Sequence, residues 1–176
     1  MASLDFQIRE LKWEDAFDVI RNYLSLLDEL SVNPWLGVTT PLQKPDLPYE
    51  VKWFADLYSS VLQGNAVAYV AEADERVVGM CEVRRRSTRA EFCHIGSLGL
   101  YVNKEYRGKG IGKALLLRTI QACKGKFEIL TLEVFSNNLY AKRLYEKLGF
   151  RIYGVLPMGV KRGKEYTDIE FMYLNL

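Results

Sequence analysis

The stretch from Val102 to Leu116 runs out of a strand, through a loop punctuated by Gly108, Gly110 and Gly112, and straight into a helix. Few other segments restrict a fold so tightly, because a strand end and a helix start must lie together around a nearly bare backbone. Glycines leave no side chain in the way, so successive N–H groups and the positive end of the helix dipole can face one anion. Arg107, Lys109 and Lys113 add charge around the same spot. The spacing predicts a diphosphate cradle over 107–112.

Competing glycine motifs fail on spacing. A nucleotide-triphosphatase loop needs Gly-Lys followed by Ser or Thr, with a glycine five positions earlier. Here Gly112-Lys113 precedes Ala114, and the earlier position is Arg107. A dinucleotide fingerprint started at Gly108 ends on Lys113, and one started at Gly110 ends on Leu115. The pattern that fits is Arg/Gln-x-x-Gly-x-Gly/Ala, carried by Arg107, Gly110 and Gly112, which resembles the acetyl-coenzyme A loop of the GNAT superfamily of N-acetyltransferases. Further on, the run from Leu132 to Phe150 has Glu133, Asn138, Ala141, Leu144-Tyr145 and Gly149-Phe150. It is similar to the later motif of the same family, in which a strand ends at an Asn-led helix with a Gly-Phe exit.

Bulk properties agree with one globular domain over residues 1–176. The chain has 176 residues, 49% hydrophobic and 26% charged, enough to enclose a core. A net charge of +2 does not argue for nucleic acid or an anionic membrane as partner. The N-terminal residues Met1 to Asp5 lack a basic segment followed by an apolar run, and no later stretch has the length of an apolar membrane span. A cytoplasmic protein is expected. Cys81, Cys93 and Cys123 lie in apolar surroundings without metal-ligand spacing, so buried reduced thiols are expected, a catalytic cysteine being the sharper alternative. No metal is expected.

Periodicity orders the elements. A short strand around Phe6 and Ile8 precedes a helix marked by Ala16, Ile20, Tyr23, Leu24, Leu27 and Leu30. Pro34, Pro41, Pro45 and Pro48 exclude a regular helix over 31–49, and helix returns from about Tyr49 to Leu62. The interruption, with Trp35, Leu36 and Tyr49, either lines a binding cleft or packs on the surface. Strands are predicted over 66–73, 76–85 and 90–102, with a tight turn at 73–76; Arg84, Arg85, Arg86 and Arg89 surround the next turn as a solvated tip or a lure for an acidic substrate. Helix 109–123, strand 128–135, a helix burying Ala141, Leu144, Tyr145 and Leu148, and strands 150–156 and 165–174 complete the chain. The fold class is α/β (α+β). The resemblance implies the GNAT fold, a mixed, mostly antiparallel sheet of about seven strands with helices on both faces.

The resemblance also distributes roles. The pantetheine arm of acetyl-CoA would bond to backbone around Leu100, Tyr101 and Val102, and the diphosphate would rest on Arg107, Gly108, Lys109, Gly110, Ile111 and Gly112, with Lys113 beside them. Tyr145 would face the coenzyme sulfur, where a phenol with an ordinary pKa near 10 can protonate a leaving thiolate. Glu133, a carboxylate on an otherwise apolar strand, is the leading base, with desolvation expected to raise its pKa. Ser97 stands where relatives acting on small amines carry a glutamate, and His94 is a rival base on the same strand. Asn138 either contacts the coenzyme or caps its helix.

The implied reaction is direct acetyl transfer to a primary amine, without an acyl-enzyme. The acceptor is open. The Leu132-Glu133-Val134 strand resembles RimI-type enzymes acting on protein N-termini, whereas the closing stretch from Gly154 to Asp168 resembles phosphinothricin- and spermidine-type acetyltransferases acting on small amines such as polyamines or amino acids. A non-catalytic coenzyme A sensor or scaffold is the alternative. Phe171, Tyr173 and Leu174 of the last strand fit either a homodimer or core packing.

Overall fold

The computed structural model describes residues 5–41 and 45–176. The reading of the first four residues as leaderless lies outside that set, as do 42–44 of the proline-rich stretch. Seven strands form one sheet: β1 (Gln7–Glu10), β2 (Ala66–Ala73), β3 (Arg76–Arg85), β4 (Ile95–Val102), β5 (Ile129–Phe135), β6 (Arg151–Arg162) and β7 (Glu165–Asn175), in spatial order β1-β2-β3-β4-β5-β7-β6. Every neighbouring pair is antiparallel except β4 and β5. Four helices cover it, α1 (Ala16–Glu29), α2 (Leu47–Leu62), α3 (Ile111–Cys123) and α4 (Leu139–Lys147).

Two apolar clusters lie on opposite faces of the sheet. Alternation along β2 sends Val67, Tyr69 and Ala71 toward α3, where Ile111, Leu115 and Leu116 are buried, and sends Ala66, Ala68 and Val70 toward α1 and α2, where Val19, Phe54 and Leu57 are buried. This two-sided burial is why β2 reads as a continuous apolar run.

Local chemistry moved several boundaries. Residues 90–94, expected in a strand, include a 3-10 turn at Ala90–Phe92, and the β3–β4 connection closes where Arg86 N–H bonds Ile95 C=O. Pro48 sits inside the first turn of α2, where its missing N–H has no helical partner to lose, and Asp46 caps that helix through Tyr49 N–H at 2.9 Å. At 73–76 the expected turn is present, with Asp74 and Glu75 at φ 52° and 59°, as a type I′ hairpin demands. Strand β6 continues past residue 156 to Arg162 by means of register shifts at Ile152/Gly154 and Leu156/Val160. In α4 only Tyr145 of the expected stripe is fully buried; Ala141, Leu144 and Leu148 pack half-buried against the same core.

The basic run is less solvated than expected. Arg84 and Arg85 belong to β3 and are half-buried, Arg84 bonding Glu82 and lying 4.7 Å from the Trp53 ring, Arg85 bonding Asn65 Oδ1 and Cys93 C=O. Cys81 and Cys123 are buried and their thiols are pushed up to about 12 by desolvation, while Cys93 is half-buried. Thiols held so firmly protonated are poor nucleophiles. Strand β7 lies between β5 and β6, so Phe171 and Tyr173 pack inside the sheet, both against Tyr153.

Candidate active site

The parallel pairing of β4 with β5 is short. It covers Ile95↔Ile129, Gly96↔Leu130 and Ser97↔Thr131, after which the strands diverge. On its other side β4 stays paired with β3 as far as Val102. The bonds Arg86 N–H to Ile95 C=O and Asn103 N–H to Val78 C=O mark the odd-numbered residues of β4 as those facing β3. By antiparallel alternation Leu98 C=O, both backbone groups of Leu100 and Val102 N–H point into the gap, while Leu98 N–H serves the Ser97↔Thr131 rung and Val102 C=O accepts from Arg107 Nε. Leu100 has an open backbone and Val102 an open N–H, whereas Tyr101 turns its backbone to β3. A row of unpaired amides at a strand edge is a template for an extended polar chain.

The glycine loop stands at the end of this edge. Arg107 N–H bonds Lys104 C=O and Ala114 N–H bonds Gly110 C=O, and the amides between them, 108–113, have no partner among the described residues. Gly108 and Gly110 adopt φ of 75° and 86°, a left-handed backbone that side chains disfavour, and a Cβ at either would meet nothing within 4 Å. These glycines are required by backbone conformation, and the space above them is open for an anion. Lys109 lies over the Tyr106 ring at 5.2 Å and Lys113 is exposed in the first turn of α3.

Arg107 departs from expectation. Its guanidinium grips Glu29 at the end of α1 through two bonds of 2.7 and 2.8 Å, and its Nε donates to Val102 C=O at 2.8 Å. With its amide and side chain both bonded, Arg107 ties the loop to α1 and to β4. It does not present a free cation. The same helix is fastened nearby by Asn22, which donates to Val77 C=O and accepts from Asn103 Nδ2 at 2.7 Å.

Beyond the gap a cleft of about 530 Å³ opens on the α1/α2 face. Its walls are Tyr23 of α1, Tyr49, Glu50 and Trp53 of α2, Glu82 of β3, residues 98–101 of β4, Glu133 of β5 and Tyr145 of α4. Residues 37–41 line it too, so that part of the proline-rich stretch borders the cleft. Trp35 in the same stretch donates to Glu165 Oε2 at 3.3 Å, and Gly37 lies so close to Asn138 that a Cβ would come within 2.7 Å of its Nδ2. Asn138 itself caps α4, accepting from Ala141 N–H at 3.2 Å.

Tyr145 is buried with its ring edge-on to Phe150, and desolvation pushes its phenol well up. It therefore carries its proton at neutral pH. Glu133 reaches the cleft but is exposed, so the burial from which desolvation was expected is not there. His94 does not join the cluster: it lines a separate depression with Lys124, Lys126 and Phe127, at the end where β4 and β5 are still paired.

Two carboxylates of the cleft went unnoticed in the sequence. Glu82 stands opposite Gly99 on β4, with its side chain 17% exposed. Burial raises its pKa while the charge and hydrogen bond of Arg84, at 3.1 Å, pull it back. Glu50 is 3% exposed, its Oε1 has no partner among the described residues, and desolvation raises its pKa. The signals were present: Glu82 interrupts an apolar strand as Glu133 does, and Glu50 occupies the buried stripe of α2 with Phe54 and Leu57.

An open strand edge, a loop of free amides at a helix start and a cleft with carboxylates and a protonated phenol thus adjoin one another. The model of the acetyltransferase (GNAT) family matches residues 30–150, and the chain belongs to that family. It is an N-acetyltransferase by family, and GNAT enzymes use acetyl-CoA as donor. The L-amino acid N-acetyltransferase AaaT of Escherichia coli K12 is 31% identical over 107 residues, which are 58% of this chain and 64% of that protein. The L-methionine sulfoximine/L-methionine sulfone acetyltransferase of Pseudomonas aeruginosa is 27% identical over 148 residues, 82% of this chain and 84% of its own length. Among solved structures, the ribosomal-protein-alanine N-acetyltransferase of Brucella melitensis superposes with TM-score 0.81 at 24% identity, over 97% of this chain and 99% of that one. Salmonella typhimurium yncA, solved with its cofactor acetyl-CoA, gives 0.81 at 21% identity over 97% and 94%. No helix among the described residues is long and apolar enough to cross a membrane.

Proposed function

We propose that this chain transfers the acetyl group of acetyl-CoA directly to a primary amine, in the gap between β4 and β5. The observation that carries the reading is the continuity of the site: the free amides of 108–113, the open edge at Leu98, Leu100 and Val102, and the cleft with Glu82, Glu133 and Tyr145 form one path. Acetyl-CoA supplies the activated thioester. Amides 108–113 hold the diphosphate, reinforced by the dipole of α3, and the β4 edge bonds the pantetheine amides.

The amine arrives protonated and must lose that proton before attack. Glu82 is the better base, because burial lifts its carboxyl toward the working range. It takes the proton directly or through one water. Glu133, exposed at the mouth, orients the incoming cation. As the new C–N bond forms and the C–S bond breaks, the Tyr145 phenol gives its proton to the departing sulfur and regains one from the acylated nitrogen, while the proton held by Glu82 passes to water, so the sum is one acetamide, one thiol and one released proton. Glu82 thus supplies from the neighbouring strand the carboxylate that Ser97 lacks.

Incubation with acetyl-CoA and a panel of amines and peptides, reading free thiol and acetylated product, tests the reading. Thiol release matched by product supports it. Tight coenzyme binding without release would overturn it in favour of a sensor domain.

A further inference from the structure

Resting on that reading, we propose that the acceptor is an alkyl amine with a second cationic nitrogen and no carboxylate, a diamine or polyamine whose distal ammonium is held by Glu50 and the Tyr101 hydroxyl. The argument begins with Glu50. It lies on α2 behind the cleft, 3% exposed, with Oε1 unpartnered, although it lines the cavity. Leaving a buried carboxylate oxygen without a donor is costly, and a ligand ammonium carries the donors and the charge that would satisfy it.

Tyr101 gives a second, independent sign. Its hydroxyl is buried beside Asn22 without a well-formed hydrogen bond, and Tyr101 lines the same cavity from β4. Two orphaned oxygens, one anionic and one neutral, fit an ammonium better than any anion. The aromatic rings of Tyr23, Tyr49 and Trp53 border the cleft and suit a cation on an alkyl stem.

Charge matching sets the number of nitrogens. Glu82 already has Arg84 and serves the reacting amine, and Glu133 is in water. Among the described residues Glu50 has no cation of its own, so one reacting nitrogen cannot answer both sites. A carboxylate-bearing acceptor fits poorly: among the described residues no Arg, Lys or His lines the cleft. Of the guanidinium groups beside the cleft, that of Arg84 is bonded to Glu82 and stacked on Trp53, and that of Arg162 donates to Val38 C=O and lies over the Phe135 ring.

The test compares putrescine, n-butylamine and L-methionine as acceptors under the same acetyl-CoA concentration. Putrescine should exceed n-butylamine in kcat/KM by about tenfold or more, the worth of one charge-assisted hydrogen bond, chiefly through KM. Methionine should trail both. In Glu50→Gln the putrescine-to-butylamine ratio should fall toward one. Equal kinetics for the two alkyl amines in the parent protein would overturn the proposal while leaving acetyl transfer intact, whereas no thiol release with any amine would remove the underlying activity. A preference for methionine would overturn it as well and would point to Arg84 Nη2, buried and unpartnered, as a carboxylate anchor. The parent-protein ratios are decisive even if Glu50→Gln fails to fold.

Discussion

Replacing Arg107 by Met separates two roles that sequence alone merges, a ligand for phosphate and a clamp for the loop. The methionine keeps much of the stem and removes the guanidinium, so Glu29 loses both bonds and Val102 C=O loses one. The side chains of Arg107 and Glu29 are 32% and 10% exposed. That places the pair between exposed ion pairs, worth about 0–1 kcal/mol, and buried ones, whose breakage costs about 3–5 kcal/mol. A loss of about 2 kcal/mol is expected, equivalent to a fall in Tm of roughly 4–8 °C for a chain of this size. Urea unfolding measures it, and Glu29→Gln with the double variant closes a cycle in which the losses should be strongly non-additive. Calorimetric titration with coenzyme A adds the functional half. If Arg107 only clamps, Glu29→Gln weakens coenzyme binding or leaves it alone; if the guanidinium were meant for the diphosphate, releasing it from Glu29 would tighten binding. An Arg107→Met protein as stable as its parent, or a Glu29→Gln protein that binds several-fold tighter, refutes the reasoning.

Three other outcomes are expected. Because burial raises the Glu82 pKa, the base is protonated at low pH and kcat/KM should climb with pH through a limb above the ordinary carboxylate range; Glu82→Gln should flatten that limb and lower kcat/KM by about 10²-fold, and an unchanged limb rejects the assignment. Tyr145→Phe should depress turnover with little effect on coenzyme affinity, as read by steady-state kinetics beside calorimetry, and an unaltered kcat dismisses the acid. In Gly110→Ala the new methyl group meets no atom within 4 Å, so its cost is the left-handed backbone, about 1–2 kcal/mol; an unfolding midpoint equal to the parent's contradicts that account.

What could be read in advance was what the chain encodes locally. The strand-loop-helix from Val102 to Leu116, the turn at 73–76 and the stop at Gly149 all rest on backbone geometry that a few neighbouring residues dictate. The clamp made by Arg107 was not legible because its partner, Glu29, lies 78 positions away and reaches it only after α1 docks on the sheet. Desolvation was expected at Glu133 because its strand is otherwise apolar, but β5 leaves β4 beyond Thr131 and the side chain is exposed. Glu82 and Glu50 were hidden for the opposite reason. Each looked like one charge among many until the register Glu82↔Gly99 and the seat of α2 brought both to the same cavity.

The three-pair contact between β4 and β5 has a mechanical consequence. One four-stranded plate, β1 to β4, and one three-stranded plate, β5 to β7, share that brief seam as their direct ladder. A molecule wedged into the notch and hydrogen-bonded along Leu98 to Val102 extends the seam and sets the angle at which the plates meet. Occupancy and stiffness then rise together, and slower amide exchange on the flanks of the notch would register the donor's arrival before any chemistry begins.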